Sequence, residues 1–555
     1  MLFVYPPVVK PCEPPPGIAK LVGVLTSRGI GCKVLDANLE SMLYLMNITP
    51  GASDKWTRRA SRDREKNLAG LRSIDGYRSA DRYKRAVADL NRLLEKTAFS
   101  KVSAVPESFS STACSGGTGL SAAFDVHGCA IRVSLSNYQD TQRSPVRSAD
   151  LIRASEHPEE SPFYPYFSNR LAELLERDTV SVVGLSLNFL SQALCTFSMI
   201  GFLKRRYPGV KLVLGGGLVT SWMRRPGWKN PFQGLVDHLV DGPGEPFLLS
   251  ILSRSGHTVE AGEADGTVAG FNRSDSCTEH SLPDYSSFPL HEYLAPGPIL
   301  PYSASSGCYW SQCAFCPERA ERNPYLPIPA RKVVQDLRTL VGSMKPVLIH
   351  LLDNAISPSL MKALCECPPG VPWYGFTRIT RHLADPDFCR ALKRSGCVML
   401  KLGIESGDQG VLDLERKGVD LEMVSRALRT IKEAGIATYV YLLFGTPSES
   451  LAQARKTLDF TVGHSEWIDF LNLAIFNLPV YGPEASRLET RMLYEGDLSL
   501  YTGFKHPKGW ERGLVRQFLD KEFKRHPAIA SILRNDPPFF TSNHAPFLCE
   551  SFPSL

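Results

Sequence analysis

The chain has 555 residues, enough for about three or four domains with large buried cores. Hydrophobic residues make up 43% and charged residues 22%, the balance of an ordinary soluble globular protein. The net charge of +6 is small for this length and unclustered, which argues against nucleic acid or a membrane surface as partner. No apolar run reaches the roughly eighteen residues that a bilayer span needs, and "MLFVYPPVV" lacks the basic start of a signal peptide. The 14 cysteines are therefore expected to stay reduced in a cytoplasmic setting.

In chain order, "LFVYPPVV" reads as a strand and "PCEPPPG" as a proline-rich loop. "GIAKLVGVLTSRG" is a helix with apolar residues at Ile18, Leu21, Val22 and Leu25, and Gly29 stands where a C-terminal cap belongs. "CKVLDAN" is a second strand. The pattern resumes at "TVSVVGLSLNFL", a strand, followed by the helix "SQALCTFSMIGFLKRRYPG" and the strand "VKLVLGGG". Strands alternating with amphipathic helices predict a doubly wound parallel sheet, whose ligands sit beyond the carboxyl ends of its strands. Pro6, Pro7, Ser186 to Asn188 and Gly215 to Gly217 fall there. Between the two runs, residues 48–160 form an insertion: its charged first half reads as helical, and "NYQDTQRSPVRSADLIRASEHPEESPF" reads as loop. Residues 256–298 read as a linker rich in Gly, Ser and Pro. Beyond it, "PVLIHLLDN", "VPWYGFTRIT", "VMLKLGIESG", "ATYVYLLFGTP" and "DFLNLAIFNLP" are five strand candidates, with the helix "DLEMVSRALRTIKEAG" running from an Asp cap to Gly435. Repeated strand–helix units of this length predict a partial TIM barrel over 299–484, with the active site at the carboxyl ends of its strands. Residues 485–555 form a small C-terminal extension.

Between linker and barrel lies "SSGCYWSQCAFCPE", with Cys308, Cys313 and Cys316 inside nine positions. Three thiolates can hold three irons of a cubane [4Fe–4S] cluster and leave the fourth open to a cosubstrate. A zinc site would need a fourth ligand, and the next cysteine is Cys365. Plain buried thiols are the remaining alternative.

The barrel half resembles the radical S-adenosylmethionine (radical SAM) superfamily, in the branch with an N-terminal cobalamin-binding-like domain. The resemblance rests on "LPDYSSFPLHEYLAPGPILPYSASSGC", "ADPDFCRALKRSGCVMLKLGIESGDQGVLDLERKG" and "AGIATYVYLLFGTPSES". It implies that Cys308, Cys313 and Cys316 bind the [4Fe–4S] cluster. It further implies that Phe315, Asp353, Arg378, Glu405, Ser406 and Gly445 contact S-adenosyl-L-methionine, with Phe315 and Gly445 near the adenine. In isolation, a strand-end carboxylate such as Glu405 could equally cap a neighbouring helix. One departure stands out: the family places three residues between the first two cysteines, and here Tyr309 to Gln312 make four.

"PPVVKPCEPPPGIAKLVGVLTSRGIGCKVLDAN", "VVGLSLNFLSQA", "VKLVLGGGLVT" and "LVDGPGEPFL" resemble the cobalamin-binding domain in the expected order, within residues 1–255. The resemblance implies cobalamin contacts at Pro7, Ser186, Asn188, Gly215, Gly216, Gly217, Gly242 and Glu245, the glycines letting backbone approach the nucleotide tail. The Asp-x-His-x-x-Gly motif of cobalamin mutases is absent after the first strand. "DVHGCA" in the insertion is a near match in the wrong place, and His127 reads as incidental. The expectation is a cobalamin-dependent radical enzyme that methylates an unactivated carbon by way of methylcobalamin and a 5′-deoxyadenosyl radical. It would take a small-molecule or peptide substrate and an electron donor such as flavodoxin or ferredoxin. The alternatives are cyclisation or rearrangement without methyl transfer, and a non-catalytic Fe–S or zinc protein.

Overall fold

The computed structural model describes residues 1–50, 54–102, 131–253, 267–268, 280–537 and 544–551. His127 and the rest of "DVHGCA" lie outside these residues.

The first sheet contains β1 (Leu2–Val4), β2 (Lys33–Leu35), β3 (Val182–Ser186), β4 (Lys211–Gly215), β5 (His238–Val240) and β6 (Thr267–Val268). Its six strands are parallel, in the order β2-β1-β3-β4-β5-β6. The chain reverses direction across the sheet between β1 and β3, so the loops leaving these two strands diverge and open a crevice at their carboxyl ends. Helix α1 (Pro16–Thr26) starts on Pro16, whose missing N–H is unneeded in a first turn, and buries Ile18, Ala19, Val22 and Leu25. It stops where expected. Gly29 has φ 69° and its N–H donates to Thr26 O at 3.0 Å, while Ile30 N–H reaches Leu25 O at 3.0 Å. Helix α2 (Ala37–Asn47) is capped by Asp36, whose carboxylate accepts from Leu39 N–H at 2.9 Å.

The second sheet runs β7 (Ile299–Tyr302), β8 (Leu348–Leu351), β9 (Trp373–Thr377), β10 (Cys397–Glu405), β11 (Ala437–Phe444) and β12 (Phe470–Ile475). The six strands are parallel and adjacent in sequence order, an open half barrel. All five expected strands are present. The sixth, β7, carries Pro301 between Pro298 and the cysteine loop and was hidden in the lead-in. The helix before β11, Leu421–Glu433, is capped by Asp420, which accepts from Met423 N–H at 3.0 Å. Its buried Val424, Leu428 and Ile431 each contribute about 1.5–3 kcal/mol by leaving water.

Two stretches differ from expectation. The segment read as loop holds a short strand, Tyr138–Asp140, and a helix, Ser148–Glu156; Leu151 and Ala154 of that helix are fully buried, a packing preference that the surrounding charges mask. Residues 280–298, expected as linker, are built into the protein. Tyr285, Phe288, Tyr293 and Leu294 are buried, Asp284 N–H donates to Ala19 O at 2.9 Å, and Leu294 N–H to Pro11 O at 2.7 Å. One apolar core runs from Phe3, Ile18 and Leu25 through Tyr285 and Tyr293 into Leu300, Leu402 and Leu442. Among the described residues, no helix is long and apolar enough to cross a membrane.

Candidate active site

The cysteines lie in the loop that leaves β7 and leads into the short helix Pro317–Ala320. Gly307 opens this loop with φ 72°; a Cβ there would sit 2.3 Å from Pro324 O, so no other residue fits. Asp353, just beyond β8, holds the loop's start: its carboxylate accepts from Ala304 N–H at 3.1 Å and from the Ser305 hydroxyl. Asn354 donates to Gly307 O at 3.3 Å. With both oxygens engaged and burial pushing its pKa up, Asp353 acts here through the loop.

Cys313 is buried. The Arg378 guanidinium, at the end of β9, donates from Nη1 to Cys313 Sγ at 3.7 Å and from Nη2 to Lys417 O. Lys417 Nζ pairs with Glu405 Oε1 at 2.8 Å and stands 5.6 Å from the centre of the Phe315 ring. Burial pushes the Cys313 thiol up, and Lys417 and Arg378 pull against it; the half-buried Cys316 is pushed up to about 11, chiefly by desolvation. Two fixed cations beside Cys313 favour its thiolate over its thiol and oppose the effect of burial. Among the described residues, no three His, Cys, Asp or Glu side chains converge as a single-ion site requires. Three sulfurs that would each serve a separate iron fit a cubane better than one zinc.

The extra residue between the first two cysteines has a structural account. Trp310 stacks under Arg378, 4.2 Å from guanidinium carbon to ring centre, and its indole N–H donates to Arg416 O at 3.0 Å. Gly418, with φ 65°, makes room for it, since a Cβ there would lie 2.1 Å from the ring. Ala314 N–H donates to Glu415 O at 2.9 Å. The longer loop is thus pinned to the segment after β10. Lys417 and Trp310 escape a sequence reading because their partners are set by this docking.

Phe315, Arg378 and Glu405 therefore come together with the cysteine loop. Ser406 is turned away: its hydroxyl meets Thr457 Oγ1 at 3.2 Å and accepts from Asp408 N–H at 3.1 Å. Gly445 ends β11 with φ 78°, and a Cβ on it would lie 3.1 Å from Val515 of the C-terminal extension. A small cavity lined by Gly445, Phe476, His506 and Trp510 adjoins it.

Glu449 closes that corner. It is fully buried, and its Oε2 accepts from Gly445 N–H at 2.5 Å and from Trp510 Nε1–H at 2.9 Å. Its Oε1 has no partner. Burial, opposed by these hydrogen bonds and aided by Glu415 and Asp408, lifts its pKa from 4.5 to about 7. A carboxyl raised in the folded state stabilises fully below pH 4.5, and that contribution is lost as pH rises to about 7. Glu449→Gln should therefore gain on the wild type by up to about 3 kcal/mol as pH rises from 5 to 7.5. Denaturant unfolding followed by Trp fluorescence reads the difference; parallel stability curves would refute it.

The residues expected at the cobalamin site all lie at the carboxyl edge of the first sheet, where Phe189 is 51% exposed. Pro7 follows β1, Ser186 ends β3, Gly215 ends β4, Gly242 follows β5, and Glu245 is in the first turn of the helix Gly244–Ser253. The glycines serve different ends. Gly216, with φ 112°, would put a Cβ 2.4 Å from Leu187 O, so its missing side chain serves the neighbouring loop, not the crevice. Gly217 is exposed, and the nearest atom to a Cβ there is Asn188 Oδ1 at 3.8 Å. Asn188 is largely occupied inside the edge, accepting from Gly217 N–H at 2.9 Å and donating to Ser186 Oγ at 3.0 Å. This edge abuts the cysteine region. Ser221 donates to Glu321 at 2.7 Å and Arg224 to Asn323, both partners lying just after Cys316.

Residues 302–461 match the family model described as the radical SAM superfamily. The chain is 23% identical to the anaerobic magnesium-protoporphyrin IX monomethyl ester cyclase of Cereibacter sphaeroides over 349 residues, 57% of this chain and 55% of that protein. It is 25% identical to the hopanoid C-3 methylase of Methylococcus capsulatus over 351 residues, 59% of this chain and 65% of that protein. Across four curated relatives the chain spans between 28% and 65% of their length. Among solved structures, the radical S-adenosylmethionine methyltransferase TsrM from Kitasatospora setae, with tryptophan substrate and a SAM analogue bound, superposes with a TM-score of 0.56 at 14% identity, covering 96% of this chain and 88% of that one. At that identity the likeness is one of fold. With the cysteine loop, β8 to β11 and their connections all inside the matched span, residues 302–461 of the chain form a radical SAM domain.

Proposed function

We propose that the chain is a cobalamin-dependent radical enzyme that methylates an unactivated carbon of a small molecule. The observation that carries this reading is the contact between the carboxyl edge of the first sheet and the segment after Cys316, through Ser221–Glu321 and Arg224–Asn323. A group held in the crevice of the first sheet would face the mouth of the half barrel. The methylase and methyltransferase among the relatives support the reaction class.

A [4Fe–4S] cluster on Cys308, Cys313 and Cys316 would supply the electron that splits S-adenosylmethionine, and cobalamin would carry the methyl group. The protein's own part is electrostatic and steric. Arg378 and Lys417 hold positive charge against the thiolates, which favours the bound anionic sulfur and sets the local potential. Lys417 also fixes the Glu405 carboxylate at the strand end, where it can accept hydrogen bonds from a cosubstrate amine or ribose. Phe315 lines the same corner, and the buried interior keeps water from a reactive carbon radical. Glycines 215 to 217 and 242, with the exposed Phe189, would line the cobalamin crevice. A small electron carrier such as flavodoxin or ferredoxin would deliver the electron.

Protein reconstituted without oxygen should bind about four irons per chain and, once reduced, convert S-adenosylmethionine to 5′-deoxyadenosine. During turnover of its substrate, S-adenosylhomocysteine and 5′-deoxyadenosine should form in equal amounts, because one cosubstrate gives its methyl group and a second gives the radical. Deoxyadenosine without S-adenosylhomocysteine would point to cyclisation or rearrangement. Zinc in place of iron would end the enzyme reading.

A further inference from the structure

Inside the half barrel, Lys401 stands in the middle of β10 and is 2% exposed. A lysine so placed in the run "VMLKLGIE" needs a reason, because a buried ammonium without a counter-charge is costly. Among the described residues, no carboxylate lies within ion-pair distance of it. Among the described residues its one hydrogen bond is to His350 Nε2 on β8, at 3.4 Å. His350 Nδ1 lies 3.0 Å from both oxygens of Glu13, which enters from the proline-rich loop after β1. One assignment of protons satisfies all three groups. Neutral His350 donates from Nδ1 to the Glu13 carboxylate, and its Nε2 accepts from the Lys401 ammonium. Stacking of His350 on Tyr374, 4.4 Å between ring centres, locks the imidazole in place.

An ammonium has three N–H donors, and His350 takes one. Among the described residues, the other two face only the rings of Tyr374 and Phe376, 5.0 and 5.1 Å from Nζ to the ring centres. Lys401 also shares a strand face with the cysteine site. Gly403, two residues on, faces the same side, and a Cβ on it would meet Glu405 Oε1 at 2.5 Å and Lys417 Nζ at 2.9 Å, so both side chains reach onto that face past the register shift between Gly403 and Glu405. At most about 13 Å of strand separates Lys401 from Glu405, and Gly403, lacking a side chain, makes room on that wall for the Glu405 carboxylate and the Lys417 ammonium. Half-buried Phe376 and Tyr441, 4.7 Å between ring centres, flank that wall.

We propose that Lys401, oriented by the Glu13–His350 pair, is the seat for a carboxylate of the substrate, whose flat or apolar body lies against Phe376 and Tyr441 with its reacting carbon towards Glu405. The inference rests on the reading of the barrel interior as the place where substrate is held. A carboxylate suits the site better than a phosphate, which ordinarily gathers several donors from Arg forks or backbone N–H groups. Lys401 is then a binding residue; His350 and Glu13 are positioning residues, and Glu13 ties substrate recognition to the first sheet.

The test needs neither the true substrate nor turnover. Burial lowers the Lys401 pKa from 10.5 to about 8, with Glu13 acting upward and Lys10 downward. The other titratable groups around it are His350, Tyr374, Tyr441 and the His544–Asp536 pair. The full chain, with its cluster reconstituted, is treated with benzaldehyde and cyanoborohydride at pH 8, and the alkylated lysines are mapped by peptide mass spectrometry. The labelling midpoint of Lys401 should fall near pH 8, below that of exposed lysines, because more of it is free amine there. Millimolar benzoate should protect it; benzyl alcohol, the neutral analogue, should not. Glu13→Gln removes the charge that holds the proton on and should move the labelling midpoint to lower pH. Absence of Lys401 among the labelled residues, equal protection by benzyl alcohol, or an unmoved midpoint in Glu13→Gln would each overturn the proposal. Iron content and S-adenosylmethionine cleavage, measured on the same preparation, report separately on the radical-enzyme reading.

Discussion

Alanine at Cys308, Cys313 or Cys316 should each bring iron content and S-adenosylmethionine cleavage to background. Each thiolate would hold a different iron, and substitutes are poor: Arg378 and Lys417 beside Cys313 are cations, and the carboxylate that also faces it, Glu405, is held by Lys417. Iron and sulfide analysis with an anaerobic absorption spectrum checks this. Retention of a full cluster in any one variant would remove that cysteine from the set. The contrast lies with Cys365, Cys367, Cys389 and Cys397. Cys389 and Cys397 are fully buried in the barrel's packing, and the Cys389 thiol donates to Leu383 O at 3.3 Å. Alanine there leaves a small void and costs on the order of 1 kcal/mol of stability, but the cluster should survive. Its loss in one of these four would point to a fourth ligand and to zinc.

Gly217→Leu should weaken cobalamin retention at least tenfold, about 1.4 kcal/mol, with iron content unchanged. Gly217 is the glycine of the run whose side-chain direction is open, with nothing nearer a Cβ than Asn188 Oδ1 at 3.8 Å, so leucine would project into the crevice without backbone strain. Gly216→Ala is the wrong probe: with φ 112° and Leu187 O 2.4 Å from the new carbon, it would disturb the loop between β3 and α3 (Leu190–Arg206) whatever binds there. Gel filtration of protein loaded with hydroxocobalamin reads retention. The bound form should lack a histidine ligand, because residues 5–15, after β1, contain no imidazole. A histidine-ligated spectrum would return attention to His127. No retention by the unmodified protein would remove methyl transfer and leave a radical enzyme with an unused first sheet.

Strands β8 to β12 were legible because strands buried on both faces read as near-continuous apolar runs. The exception inside such a run, Lys401, was the signal that went unread. β7 was missed because four residues with a proline give too short a pattern, and its identity comes from pairing with β8. Phe315, Arg378 and Glu405 could be placed from motif order. Lys417 and Trp310 could not, because their roles depend on the longer cysteine loop docking onto residues 415–418. Glu13 and His350 lie 337 positions apart, beyond any local periodicity. The supposed linker was misread for a related reason: Tyr285, Phe288 and Tyr293 have no helical or strand spacing, and only tertiary contacts bury them.

Those contacts limit how this chain can be recombined. A Cβ on Gly23 of α1 would fall 2.0 Å from Leu282 O, the Tyr293 hydroxyl donates to Asp36, and the Tyr285 hydroxyl donates to Pro301 O. Residues 280–298 thus mate with the first sheet's helices on one side and with β7 on the other. A chimera that exchanged only one half with a relative would break one of these seams wherever its junction fell within the stretch. Grafting a different substrate chamber onto this cofactor module would have to carry α1, residues 280–298 and the Glu13 loop together as one cassette.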